Sequence, residues 1–195
     1  MDNVKQKLLD FIQSIYPMPL ANAIEITGIF NEKIFEKNDF ILKEGRICDE
    51  YYFMEKGFAR VYAFDPDGND VTTAFCSSNQ IVCEIFSFFK RIPSGENIQA
   101  LDDCKTWFIT FDQLQAIFHT MPQFREFGRT ILVNAYASLK QRTLSMIRKT
   151  AEERYIQLLE TSPDVFQYAA LKNIASYLGI TDTSLSRIRR EFSKK

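Results

Sequence analysis

Three arginines, Arg187, Arg189 and Arg190, stand near the end of the chain, behind the hydroxyl side chains Thr181, Thr183, Ser184 and Ser186. A guanidinium is a planar, permanently charged fork that matches phosphate oxygens or the guanine edge with two parallel hydrogen bonds. Short hydroxyls between such forks add compact donors and acceptors. The combination suits a polyanion with readable edges. The charge distribution agrees: residues 148–195 carry 9 Lys and Arg against 6 Asp and Glu, and the remainder carries 15 against 19. The acidic body and basic tail hide behind a net charge of −1.

Other chemistries find no residues to carry them. The chain has 1 His, His119, and 4 Cys, Cys48, Cys76, Cys83 and Cys104, none in a C-x-x-C pair. A zinc or iron–sulfur site needs several such ligands converging, so no metal and no cofactor are expected. His119 reads as a surface residue. Cys48 and Cys83 read as structural thiols rather than redox sensors. There is no Ser/His/Asp set, paired-carboxylate motif, P-loop or dinucleotide fingerprint, so an enzyme is not expected. Reduced, scattered thiols and the lack of a signal-like or membrane-spanning apolar run imply a cytoplasmic protein with no membrane partner.

The hydroxyls and arginines need a scaffold, and residues 171–195, LKNIASYLGITDTSLSRIRREFSKK, describe one. Leu171–Leu178 makes about two helical turns. Gly179 supplies the left-handed residue that ends the first helix. Thr181 caps a second helix from Asp182 to about Phe192. Ile174, Ala175, Leu178, Ile180, Leu185 and Ile188 fall inward, which leaves the Thr, Ser and Arg side chains outward. This is the helix-turn-helix pattern, and it points to DNA. Thr183, Ser184 and Arg187 sit where base edges are read; Arg189, Arg190, Lys194 and Lys195 suit phosphates.

The rest of the chain positions this unit. Residues 2–16 read as an amphipathic helix stopped by Pro17 and Pro19, and 20–30 as a short second helix. From about 32 to 110, runs such as FILK, YYFME, FARVYAF, DVTTAF, QIVCEI, NIQAL and CKTWFI alternate with turn signals, which suggests a sandwich or barrel. Asp67-Gly68 marks a hairpin. Phe111–His119 is helical, and a longer helix follows from about 123 to 147. On it Leu132, Tyr136, Leu139, Thr143 and Met146 recur at spacings of four and three. That stripe suits a paired helix, or equally a helix packed only on its own domain. Thr150 or a neighbour starts another helix, with Ile156, Leu158 and Leu159 inward, stopped at Ser162-Pro163.

This order of parts resembles the cyclic-AMP receptor protein and fumarate–nitrate regulator (Crp/Fnr) superfamily over nearly the whole chain. The resemblance is carried by ILKEGRICDEYYFMEKGFARVY, with turn glycines Gly45 and Gly57, and by LKNIASYLGITDTSLSRIRREF. It implies an α+β fold: a cyclic-nucleotide-binding-like antiparallel β-roll (jelly roll), a long dimerisation helix and a C-terminal helix-turn-helix. The division is 1–121, 122–147 and 148–195, with Leu132, Tyr136, Leu139, Thr143 and Met146 as the dimer interface. It further implies transcription control by a homodimer, with RNA polymerase as a partner if the protein is an activator. The alternative is a cyclic-nucleotide- or small-molecule-binding signalling module acting through protein contacts.

The family's effector pocket maps onto Cys83, Glu84, Ile85, Arg91, Ser94 and Gly95. Its Gly-Glu-Leu-like turn reads Cys83-Glu84-Ile85 here, and its phosphate-binding Arg-Ser or Arg-Thr pair falls on Ser94-Gly95, with Arg91 three residues early. An anion buried without a charge partner is unfavourable, so cyclic AMP is not expected and the effector is unknown. The iron–sulfur branch needs an N-terminal Cys cluster, and residues 1–47 hold no Cys. In the recognition helix Asp182 and Thr183 replace the family's Arg and Glu, while Arg187 matches a family Arg. A different operator follows. No wing sequence follows Phe192, as in a subgroup of the family.

Overall fold

The computed structural model describes residues 5–192. The first turn of the expected 2–16 helix, and Lys194 and Lys195, lie outside that range. Helix α1 (Gln6–Ile15) buries Leu8 and Ile12, one turn apart. Pro17 cannot continue it. Helix α2 (Leu20–Ile29) starts after Pro19 and buries Ala23, Ile26 and Thr27. The Lys5 ammonium donates to the Thr27 and Phe30 carbonyls and so satisfies the end of α2.

Strands β1 (Asn31–Phe35), β2 (Phe40–Leu42), β3 (Glu50–Lys56), β4 (Ala59–Phe64), β5 (Asp70–Cys76), β6 (Gln80–Val82), β7 (Asn97–Ala100) and β8 (Cys104–Thr110) follow. They build two antiparallel sheets, ordered β1-β8-β3-β6 and β2-β7-β4-β5. This is the expected jelly roll. Strand β3 is buried almost continuously rather than alternately. Both of its faces are covered: Tyr52 lines a cavity of the roll, while Phe53 meets Phe11 of α1 at 4.9 Å between ring centroids. The β4–β5 hairpin turns at Asp65–Asn69. Gly68 takes φ +83°, and the Asp65 carboxylate accepts from the Asp67 and Asn69 amides. Gly57 has a stricter reason to be glycine. Its φ is +119°, and a Cβ there would stand 2.7 Å from the Cys104 Cα.

Ile85, which reads as the end of the QIVCEI strand, instead opens helix α3 (Ile85–Lys90), a stretch to which the pattern assigns no element. Its sequence, IFSFFK, is rich in β-forming aromatics. The ends decide the conformation: the Glu84 carboxylate caps the Phe86 and Ser87 amides, and Arg91 closes the helix with φ +57°. QIVCEI therefore ends as a strand at Val82. Of its phenylalanines, Phe88 is in the core and Phe86 is exposed.

Helix α4 (Phe111–Thr120) begins with a Thr110/Gln113 capping box. Helix α5 (Pro122–Arg148) has its buried residues, Phe124, Phe127 and Gly128, near its start. Gly128 lets α4 approach: a Cβ there would meet the Phe118 ring at 2.7 Å. Helix α6 (Ala151–Thr161) is capped by Thr150 and Glu153, and buries Tyr155 and Leu158. Ile156, expected inward, is half-buried, and Tyr155 takes the inner position. A short helix α7 (Val165–Tyr168) precedes α8 (Leu171–Leu178) and α9 (Asp182–Phe192).

The core has two parts. One fills the roll and its helical cover. The other joins Tyr155, Leu158, Val165, Ile174, Ala175, Leu178, Leu185 and Ile188 to Phe58, which projects from the start of the β4 segment. Phe58 stacks on Tyr168 at 5.2 Å, and Phe75 meets Tyr177 at 5.1 Å. The C-terminal helices thus dock directly on the β4–β5 side of the roll.

Candidate nucleic-acid interface and effector pocket

The α8–α9 pair is held by the residues the sequence marked. Gly179 adopts φ +66°, and the Ile180 amide returns to the Ala175 carbonyl, closing α8 in a left-handed cap. Arg154 of α6 satisfies the Leu178 carbonyl, at 2.8 and 3.1 Å. Thr181 Oγ1 accepts from the Ser184 amide at 3.3 Å, the N-cap bond of α9. Leu185 and Ile188 are buried beneath, against Ile174, Ala175 and Leu178.

With one side of α9 anchored, its outer face consists of Asp182, Thr183, Ser186, Arg187 and Arg190, which line one shallow concavity open to solvent. The spacing is helical, so the five side chains form a contiguous surface. Ser184 stands outside it, half-buried and engaged with Thr181 at 3.0 Å. Arg189 is exposed but also outside this group. Asp182 belongs to the surface, although the sequence pattern alone did not mark it as a contact. Its position in the first turn of a helix, where a carboxylate is electrostatically favoured, was the available signal.

On α5, Leu132, Tyr136, Leu139, Thr143 and Met146 all reach solvent, Tyr136 at 70% and Leu139 at 62%. Val133 and Ile147 widen the apolar surface. Met146 also reaches the helix-turn-helix: its methyl lies 2.6 Å from where a Cβ on Gly179 would stand. Arg142 stacks on Tyr177 at 3.7 Å and donates to its carbonyl. These contacts tie the end of α5 to the helix-turn-helix.

The roll holds a cavity of about 620 Å³, lined by Lys43, Arg46, Cys48, Asp49, Glu50, Tyr52 and Cys83 among apolar neighbours. Of the six residues expected to form an effector pocket, Cys83 lines it. Glu84 spends both carboxylate oxygens on the α3 amides, at 2.9 and 2.7 Å. Ile85 opens α3 and packs on the core. Arg91 is ion-paired with Asp49, stacks on Phe111 at 4.4 Å and donates to the Cys48 carbonyl. Ser94 is buried, its hydroxyl bonded to the Glu96 backbone in both directions, with Gly95 exposed beside it. Within the cavity Tyr52 donates to Glu50, and burial together with that carboxylate pushes the Tyr52 hydroxyl far above the usual phenol range. Asp49, paired with Arg91, and Glu50, paired with Lys33 at 2.6 Å, stand in the cavity wall, which Lys43 and Arg46 also line.

His119 is exposed. Among the described residues no group of three His, Cys, Asp or Glu is arranged to hold a metal, and no helix is long and apolar enough to cross a membrane.

Residues 32–121 match the cyclic nucleotide-binding domain family. The chain is similar to the transcriptional activator protein Anr of Pseudomonas protegens, with 22% identity over 91% of this chain and 78% of that one. It is similar to the fumarate and nitrate reduction regulatory protein of Yersinia pestis, with 24% identity over 90% of this chain and 72% of that one. Its fold is shared by a putative Crp/Fnr-family transcriptional regulator from Eubacterium rectale, with TM-score 0.70 and 15% identity over 92% of this chain and 88% of that one. With the roll, the long helix and the helix-turn-helix, these similarities make the chain a relative of the Crp/Fnr transcriptional regulators over nearly its whole length.

Proposed function

We propose that the chain is a sequence-specific, homodimeric DNA-binding regulator of transcription, divided into a roll (1–121), a dimerisation helix (122–147) and a DNA-binding unit (148–195). The observation that carries this reading is the α9 surface: Arg187 and Arg190 share one solvent-facing side with Thr183 and Ser186, while Leu185 and Ile188 fasten the opposite side. Arg187, near the middle of the helix, has the reach for a bidentate contact to guanine, and Arg190 lies further along, over the phosphates. Asp182 accepts from a cytosine amino group and repels misplaced phosphate, so it favours discrimination over affinity. Thr181 and Ser184 position the helix start, and Arg189 contributes phosphate contact beside the reading face. The protein works in the cytoplasm, is not an enzyme, and engages RNA polymerase if it activates. Selection from a random DNA pool tests the reading. An inverted repeat with half-sites about 10 base pairs apart is expected. Recovery of no preferred sequence would overturn it.

The cavity supports an effector other than a cyclic nucleotide. Glu84 and Ser94 are already engaged with backbone, and Arg91 with Asp49, so the charge partner for a cyclic phosphate is missing from the expected positions. Calorimetry with cyclic AMP and cyclic GMP is expected to show no saturable heat at micromolar ligand. A saturable micromolar isotherm would contradict this and assign the phosphate to Arg46 or Lys43.

A further inference from the structure

Cys48 and Cys83 are separated by 35 positions in sequence, yet their sulfurs lie 3.9 Å apart. The cause is topological. Strands β3 and β6 pair antiparallel, with Tyr52 opposite Val82, so the segment entering β3 lies beside the segment leaving β6. The place is fixed on several sides: the Cys48 amide donates to Ser87 Oγ at 2.9 Å, and its carbonyl accepts from Arg91 at 3.0 Å. Both thiols line the cavity of the roll, which is open to small solutes.

The remaining thiols are differently placed. Burial pushes Cys76 up to about 12 and Cys104 up to about 11, so both stay protonated near neutrality. The Cys48 thiol is held below its ordinary value, first by the hydrogen bond from Cys83 and then by backbone bonds at Glu84 and Glu50, against the opposing effect of burial. Burial pushes Cys83 up. Cys48 therefore ionises first, with a protonated thiol in contact with it. That is the arrangement of an oxidisable cysteine and its resolving partner.

We propose that Cys48 and Cys83 are a peroxide-oxidised dithiol that closes to a disulfide in the wall of the roll cavity. The Cys48 thiolate attacks one peroxide oxygen and the O–O bond breaks. Cys48 becomes a sulfenic acid, and the departing hydroxide takes the proton that Cys48 had released, leaving as water. The Cys83 sulfur then attacks the sulfenic sulfur. The S–O bond breaks, and its hydroxide leaves as a second water with the Cys83 proton. Two electrons pass from the two sulfurs to one peroxide. Closing the gap to a bond of about 2.05 Å needs a sulfur movement of about 2 Å, within the reach of side-chain rotation. The site stands independently of DNA binding.

The test treats the reduced, full-length chain with one equivalent of hydrogen peroxide, quenches by alkylation, and reads intact mass and a non-reducing peptide map. The chain is expected to lose the mass of two hydrogens, to join the Cys48 and Cys83 peptides, and to leave Cys76 and Cys104 alkylated. Dithiothreitol should restore all 4 thiols. In Cys83→Ser, Cys48 should stop at a sulfenic acid trapped by a 1,3-dione probe. Consumption of Cys76 or Cys104 as fast as Cys48, or a Cys48 sulfenic acid persisting unbridged in the unaltered chain, would overturn the proposal. Should the serine variant not fold, the peptide map of the unaltered chain decides alone.

Discussion

Leu139→Asp is expected to sediment as a monomer with an unchanged circular dichroism spectrum. Leu139 is 62% exposed within one chain, so an aspartate there is hydrated and leaves the fold intact. The same position lies mid-stripe between Tyr136 and Thr143 on a helix whose fully buried residues, Phe124, Phe127 and Gly128, all sit near its start. An exposed apolar stripe of this length calls for a cover, and a second copy of the same stripe supplies one. In a helix pair the new carboxylate is desolvated opposite its twin. Each ion then costs several kcal/mol, with like-charge repulsion added. DNA affinity should fall with dimerisation, because a monomer holds one half-site only. A dimer of Leu139→Asp at the concentration where the unaltered chain is dimeric would show that the pairing surface lies elsewhere.

Asp70→Asn is expected to destabilise the chain more than Arg60→Met does. Arg60 is buried at 6% exposure, between the roll and the C-terminal helices. Its guanidinium meets Asp70 at 2.7 Å and Asn173 of α8 at 2.8 Å, while its Nε has no partner among the described residues. Thr72 of β5 makes a further tie to α8, its amide donating to Ser176 Oγ at 3.1 Å. Removing the carboxylate leaves a buried positive charge held by neutral acceptors alone. Breaking a buried pair in this way costs about 3–5 kcal/mol, and the lower end applies because Asp70 is a quarter exposed. Arg60→Met removes the charge itself and leaves an Asp70 that water can reach. Denaturant midpoints compare the two variants directly. Hydrogen exchange should show α8 losing protection first in Asp70→Asn. Equal midpoints would contradict this, because stranding the buried charge would then cost no more than removing it.

The two kinds of element differed in how far the sequence disclosed them. The strands were legible because each is short, rich in Tyr, Phe, Val and Thr, and bounded by turn residues, as with Ala59–Phe64 and Val71–Phe75 on either side of Asp67-Gly68. The α8–α9 pair was legible because its determinants are local: Gly179 for the left-handed cap and Thr181 for the N-cap. Helix α3 was not, since IFSFFK has no polar face and its helicity depends on Glu84 and Arg91 at its ends. Contacts between distant residues left no pattern to read. Arg60 and Asn173 are 113 positions apart, and neither looks unusual in its own segment. The same holds for Cys48 and Cys83. Their type was visible, but the strand pairing that joins them was not. The bonds that join Thr181 to Thr183 and Ser184 are products of the cap geometry and likewise left no pattern to read.

Binding to a panel of single-base operator variants at several salt concentrations shows whether the Asp182–Thr183–Ser186–Arg187–Arg190 face of α9 reads DNA. Arg187→Ala should relax preference at one position of each half-site, reducing discrimination there by about 1–3 kcal/mol. Arg190→Ala should weaken binding to every variant alike and lower the salt slope by about one for each phosphate left without its arginine. If Arg187→Ala instead weakens all variants equally and Arg190→Ala leaves the slope unchanged, the α9 face is not the surface that reads DNA.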